Sequence, residues 1–392
     1  MHTILLQNAA ICDATQWYKR GDVLVRDGQI AEIGAIAGAV DEIYDLTDYT
    51  LLPGLFDAHV HIVTGPIEYN DISLKNWAMS GVTTVRDMGL GNARPLEDYL
   101  AWRNTVEVPE CAQILTCGRC VAADHGYMHI MGHGDENGIG VKTPAQAAAA
   151  VDKLYAAGVD GIKTAMDLDM FREDTPQHSP ETIRTIAEKA AEHQLWCAAH
   201  VLMARFVPIL VENGIPELAH MPLELLSDEL LEEMVAKGVA VTPTLCSINA
   251  PRPPIPAGDV PPEMRRVMER MESIDTAEQE RIAIDNVRRF HAKGGVVAVG
   301  TDTMRMESLP RPVGVPVNEL RLLHSAGLSV QEVLAAATLN SARVCKVDAR
   351  LGSVEVGKQA NLIAVRSPLD ESFDALTHVE FVLNRGVVIK NI

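Results

Sequence analysis

In Leu51-Leu52-Pro53-Gly54-Leu55-Phe56-Asp57-Ala58-His59-Val60-His61, an apolar run is broken by Pro-Gly and resumes to end in two histidines one residue apart. Strand side chains alternate faces with period two, so His59 and His61 point the same way and can reach one ion. Alone, H-x-H is a weak signal. Outward from it the chain repeats one rhythm, a short apolar segment followed by a helical stretch. Strand candidates cover residues 56–62, 83–88, 113–117, 161–165, 196–201, 217–221, 240–245 and 296–302. Eight such units match the strand number of a (β/α)8 TIM barrel, an α/β fold.

The intervening helices carry boundary signals. Thr143-Pro144 and Ser179-Pro180 each set an N-cap residue before a proline suited to the first helical position. Ile183, Ile186, Ala187, Ala190 and Ala191 then recur at helical spacing. Gly158 and Gly238 fall where left-handed C-caps are wanted, and Ser329 with Glu332 spells a capping box. Residues 1–52 and 348–392 read differently, as short alternating strands with glycine turns. Neither end could bury a core alone; together they are expected to form a small β-sandwich domain, with a barrel over 53–347. The stretch 248–262 holds six prolines in fifteen residues and reads as a long loop after the seventh barrel strand.

Polar residues fall at the C-terminal ends of these strands, where this fold places its chemistry. Beyond His59 and His61 they are Lys163, His200, His220 and Asp302. Any one could be a hydrogen-bonded core residue. All six in register with strand ends point to a metal centre.

Composition narrows the partners. With 34 Lys+Arg against 53 Asp+Glu the net charge is −19, which argues against nucleic acid or an anionic membrane surface as the main partner. No run is long enough to span a bilayer, and the start lacks a basic segment and an apolar core, so no secretory signal is expected. The seven scattered cysteines then read as reduced thiols in a cytoplasmic protein. Cys117 and Cys120 form a C-x-x-C pair, but no second pair completes a zinc site. A small-molecule substrate is expected, and homo-oligomerisation is left open.

The stretches LLPGLFDAHVH (51–61), GIKTAMD (161–167), AAHV (198–201), ELAHM (217–221) and VGTDT (299–303) resemble the amidohydrolase superfamily. More narrowly they resemble its imidazolonepropionase/prolidase-like branch, which includes Xaa-Pro and Xaa-Arg dipeptidase-like enzymes. The likeness covers nearly the whole chain, including residues 337–365 leading back toward the terminal domain. It implies two divalent metal ions, with zinc the default. His59, His61 and Asp302 would hold the first and His200 and His220 the second, bridged by Lys163 carboxylated with CO2. A free lysine, pKa ~10.4, is a cation and a poor ligand, whereas its carbamate is a bidentate anion. Asp302 would double as proton shuttle.

The resemblance implies hydrolysis of an amide-type C–N bond, in a dipeptide or an N-acyl amino acid. Deaminases on this fold use one metal and a glutamate soon after the fifth-strand histidine. Residues 200–205 here, HVLMAR, have no carboxylate. Cyclic amides and ureas fit the same site, and a non-catalytic barrel used as an assembly or binding module is the reading from another class. Relatives carry G-H-G after the third strand; this chain has Asp124-His125-Gly126, keeping the histidine and changing the loop. His125 is therefore a catalytic candidate, and Tyr127, Arg205 and Arg305 are candidate substrate contacts, the arginines as partners for a carboxylate.

Overall fold

The computed structural model describes residues 2–13, 17–62, 67–89, 95–127, 138–168, 174–250, 265, 269, 273–304, 314–366, 369 and 371–392. The N-terminal part forms β1 (Thr3–Cys12), β2 (Trp17–Arg26), β3 (Gln29–Gly34), β4 (Glu42–Asp45) and β5 (Tyr49–Pro53). The C-terminal part supplies β16 (Leu362–Arg366), β17 (Phe381–Asn384) and β18 (Val387–Lys390). They join in one sheet, ordered β18-β17-β16-β5-β1-β2-β3, with β4 also paired to β1. Its core draws on both ends of the chain: Ile4, Leu6, Val23, Val25 and Leu51 pack with Leu362, Ala364, Phe381 and Leu383. The two hairpin turns, Asp27-Gly28 and Arg385-Gly386, all have positive φ, the type I′ geometry that matches strand twist. They also meet. A Cβ on Gly386 would lie 2.1 Å from the Cα of Gly28, so a side chain there would drive the turns apart.

Between these ends runs β6 (Leu55–His61), β7 (Val82–Asp87), β8 (Gln113–Thr116), β9 (Cys120–Ala123), β10 (Gly138–Val141), β11 (Gly161–Ala165), β12 (Trp196–His200), β13 (Glu217–Leu218), β14 (Ala240–Val241) and β15 (Thr303–Met304). They make two parallel sheets, β15-β6-β7-β8 and β10-β9-β11-β12-β13-β14. Backbone hydrogen bonds link the two. Asp160 N donates to Thr116 O (2.8 Å) at one seam. At the other, Val241 N donates to Val296 O (3.0 Å), Ala298 N to Val241 O (2.9 Å) and Ala58 N to Val299 O (2.8 Å).

The helix signals hold. Thr143 and Ser179 cap helices Pro144–Ala157 and Pro180–Glu192, and Gly158 ends the first at φ 90°. Ile183, Ile186, Ala187 and Ala190 are buried, while Ala191 is exposed. Ser329 and Glu332 form both halves of the capping box.

The later strands differ from expectation. Regular ladder lasts only two residues in β13 and β14, and just after β14 Pro243 has no N–H to donate and Thr244 turns left-handed at φ 51°. Residues 296–302 make one isolated bridge, at Val297, before β15. A Cβ on Gly300 would stand 2.6 Å from the Cβ of His59, so glycine is what lets this segment lie against β6. The loop expected after the third strand instead opens with β9, which is parallel to β11 and β10.

Candidate active site

The ends of β6, β11, β12 and β13 and the segment before β15 bring the sequence-marked residues together. His59, His61 and Asp302 form a group whose ligand atoms all lie within 4.8 Å of one another. Asp302 Oδ1 faces His61 Nε2 at 3.0 Å and His59 Nε2 at 3.4 Å. The His220 ring packs against His59 (centroids 4.6 Å) and, edge-on, against His200 (4.5 Å). Lys163 is buried on β11, close enough for Asp302 to act on its charge.

The electrostatics favour lone pairs over charge. Burial, then the charges of Lys163 and His220, hold His59 well below the usual histidine range. Burial, then His200, does the same to His220. Burial brings the Lys163 amine down to about 8, against an opposing pull from Cys120 and Asp302. Burial alone would raise the Asp302 carboxyl, but the His61 hydrogen bond and the surrounding imidazoles outweigh it and hold the acid below its ordinary range.

Residues that sequence spacing did not mark orient this set. His61 Nδ1 donates to Gly89 O, and His220 Nδ1 bonds Thr244 Oγ1 at 2.7 Å, which holds each ring from its Nδ1 side. Asp57 is buried, and burial pushes its pKa up to about 7. It accepts from Thr301 N (3.0 Å) and Thr301 Oγ1 (2.7 Å), fixing the residue before Asp302. Asp302 itself sits at φ 54°, a strained backbone for a non-glycine that this framework must hold. Asp167 accepts from Leu202 N at 2.6 Å and lies 3.3 Å from His200 Nε2. Beneath them Arg86 pairs with Glu217 and stacks over Trp196 at 4.8 Å. Asp57 and Asp167 stand in the quoted motifs, so proximity to the ligands was the available signal. Thr244 had none.

The other candidates separate. Tyr127 stacks on the His200 ring at 4.3 Å and forms a wall of the site. His125 is 71% exposed at φ 56°, with Nε2 3.6 Å from Asp124 Oδ2. Arg205 is exposed, over the Phe206 ring. Arg305 and most of the proline-rich stretch lie outside the described residues. Cys117 and Cys120 are buried free thiols, pushed up by burial, Cys120 to about 12.

The donor set fits a metal centre. Both ring nitrogens of His59 and Nε2 of His200 are buried without a hydrogen-bond partner, a costly state that a bound ion would relieve.

A TIM-barrel-type α/β hydrolase with a second domain is the class that this fold and site define. The amidohydrolase family profile matches residues 50–392, and the chain belongs to that family. It is thus an enzyme that hydrolyses carbon–nitrogen bonds. Within the family its likeness runs to the imidazolonepropionase and prolidase-like branch. It is 25% identical to the ochratoxinase of Aspergillus niger, over 91% of this chain and 81% of that protein. It is also 25% identical to the imidazolonepropionase of Geobacillus sp., over 95% of this chain and 89% of that one. The fold matches the crystal structure of a Xaa-Pro dipeptidase with methionine in its active site. That match has a TM-score of 0.78 at 22% identity and covers 99% of this chain and all of the other. Among the described residues no helix is long and apolar enough to cross a membrane.

Proposed function

We propose that this enzyme cleaves the amide bond of a dipeptide or N-acyl amino acid, using two zinc ions held at the strand ends. The observation that carries this reading is the joining of His59, His61 and Asp302 within ligand distance, with His220 and His200 packed ring to ring beside them. His59, His61 and Asp302 would hold one ion, and His200 and His220 the other. Lys163, as a carbamate, would bridge them. The buried amine, at about 8, supports the modification: its neutral form attacks CO2, an N–C bond forms, and a proton leaves to water. We place these residues on one closed eight-stranded barrel, residues 53–347, with a composite β-sandwich of 1–52 and 348–392.

When bound, such ions supply a water acidified to act as nucleophile near neutral pH and polarise the scissile carbonyl. The protein's own groups do the rest. Oδ1 of Asp302 faces both imidazoles, so Oδ2 would be the oxygen to take a proton from water and return it to the leaving nitrogen. Tyr127, stacked on His200, would flank the substrate, and His125 would swing toward its carbonyl. Arg205 and Arg305 are the candidate partners for its carboxylate. A Xaa-Pro dipeptidase among the similar structures supports a dipeptide, and a phenylurea hydrolase among them supports the urea alternative.

The test is a hydrolysis screen of zinc-loaded enzyme on dipeptides and N-acyl amino acids. Amidating the best substrate's C-terminus should lower kcat/KM about tenfold or more, the scale of one lost charge-assisted contact. Faster turnover of neutral cyclic amides or ureas than of every carboxylate-bearing amide would overturn the substrate assignment.

A further inference from the structure

Glu319 lies on the helix Val317–Ser325, outside every stretch that marked the site, and is 0% exposed. A carboxylate so deep must have strong partners. It has two. Oε1 accepts from Leu245 N at 3.1 Å and Oε2 from Cys246 N at 2.7 Å, the first N–H groups of the short helix Leu245–Ile248. At such a helix start the cap residue's own hydroxyl ordinarily takes an N–H. Thr244 stands at the cap position, and its side chain makes no capping bond. Its Oγ1 bonds His220 Nδ1 instead, at 2.7 Å. Thr244 is also a β-branched residue at φ 51°, a conformation such residues avoid unless their surroundings impose it.

We infer that Glu319 is a positioning residue for His220: it caps the 245–248 turn from outside, holds Thr244 left-handed and frees its hydroxyl to orient the imidazole. Without Glu319 the two N–H groups lose their acceptor, and the Thr244 hydroxyl is the nearest local replacement. Turning to them, it would leave His220 Nδ1 unpaired and its ring free to rotate. This rests on His220 as a ligand of the second ion.

The test is a double-mutant cycle read by zinc binding to metal-stripped protein, with thermal melting alongside. Glu319→Gln should weaken the weaker of the two zinc sites about tenfold, the scale of a lost outer partner of a ligating histidine. It should lower kcat with KM little changed. Thr244→Val should do the same, and Thr244→Ser, which keeps a hydroxyl, should recover most of that loss. The double variant should cost no more than either single change, because both break one relay. Should Glu319→Gln not fold, Glu319→Asp keeps the carboxyl group but falls short of the N–H groups and takes its place in the cycle. Costs that multiply to about a hundredfold would overturn the relay, as would a lower melting temperature with zinc binding intact. His220→Ala separates the two ideas: if it leaves both ions bound, the metal assignment fails, not the relay alone.

Discussion

The two sides of the site are built differently. On the β6 side, His59, His61 and Asp302 already stand at ligand distance, with Asp57 tying Thr301 down and Gly300 allowing close approach. On the β11–β13 side, His200 and His220 meet edge to edge, and Lys163 contributes a buried amine. The difference teaches that close backbone approach and a few buried hydrogen bonds can preorganise one half. On the proposed reading, a covalent change at Lys163 would add the anionic ligand that His200 and His220 lack.

The comparison breaks most visibly at the preorganised half. Replacing His59 and His61 with alanine together should empty that ion and lower kcat at least about a thousandfold, since both the nucleophile and carbonyl polarisation depend on it. Elemental analysis beside steady-state kinetics checks this; full activity with one ion or none would show that the preorganised triad is not the catalytic half.

Lys163→Ala sharpens the contrast from the other side. It should cost about a hundredfold in kcat and the less tightly held ion, with partial recovery on adding a short carboxylic acid. Carbon-13 NMR of protein reloaded with labelled bicarbonate should show a carbamate carbon in the wild type alone. Two ions and full activity without that signal would erase the distinction between the halves.

The smallest effect concerns what holds β11 in place. His178 is buried, and burial brings it down to about 4; its Nε2 lies 3.2 Å from Thr164 Oγ1, next to Lys163. A histidine depressed from 6.5 to about 4 binds fewer protons folded than unfolded between those values. Its contribution is therefore complete above pH 6.5 and is lost as the pH falls toward 4, about 3 kcal/mol at most. Urea unfolding of wild type and His178→Gln should differ more at pH 7 than at pH 4.5. A difference independent of pH would mean that folding leaves the proton affinity of this imidazole unchanged.

Local spacing carried much of this protein. Period-two alternation made His59 and His61 neighbours, Thr143-Pro144 and Ser179-Pro180 started their helices, and strand ends marked Lys163, His200, His220 and Asp302. These signals are legible because each depends on residues within a turn or a strand of one another. Tertiary structure decided the rest. Asp57 meets Thr301 across 244 positions, Glu319 meets Leu245 across 74, and Thr244 reaches His220 across 24. The first follows from how β6 and the segment before β15 lie together, the other two from how the turn after β14 meets the helix Val317–Ser325 and the segment after β13, and no local pattern announces them. The early end of β14 was half written, in Pro243. That Thr244 would turn left-handed there, and hand its hydroxyl to a histidine, depended on a carboxylate arriving from a distant helix.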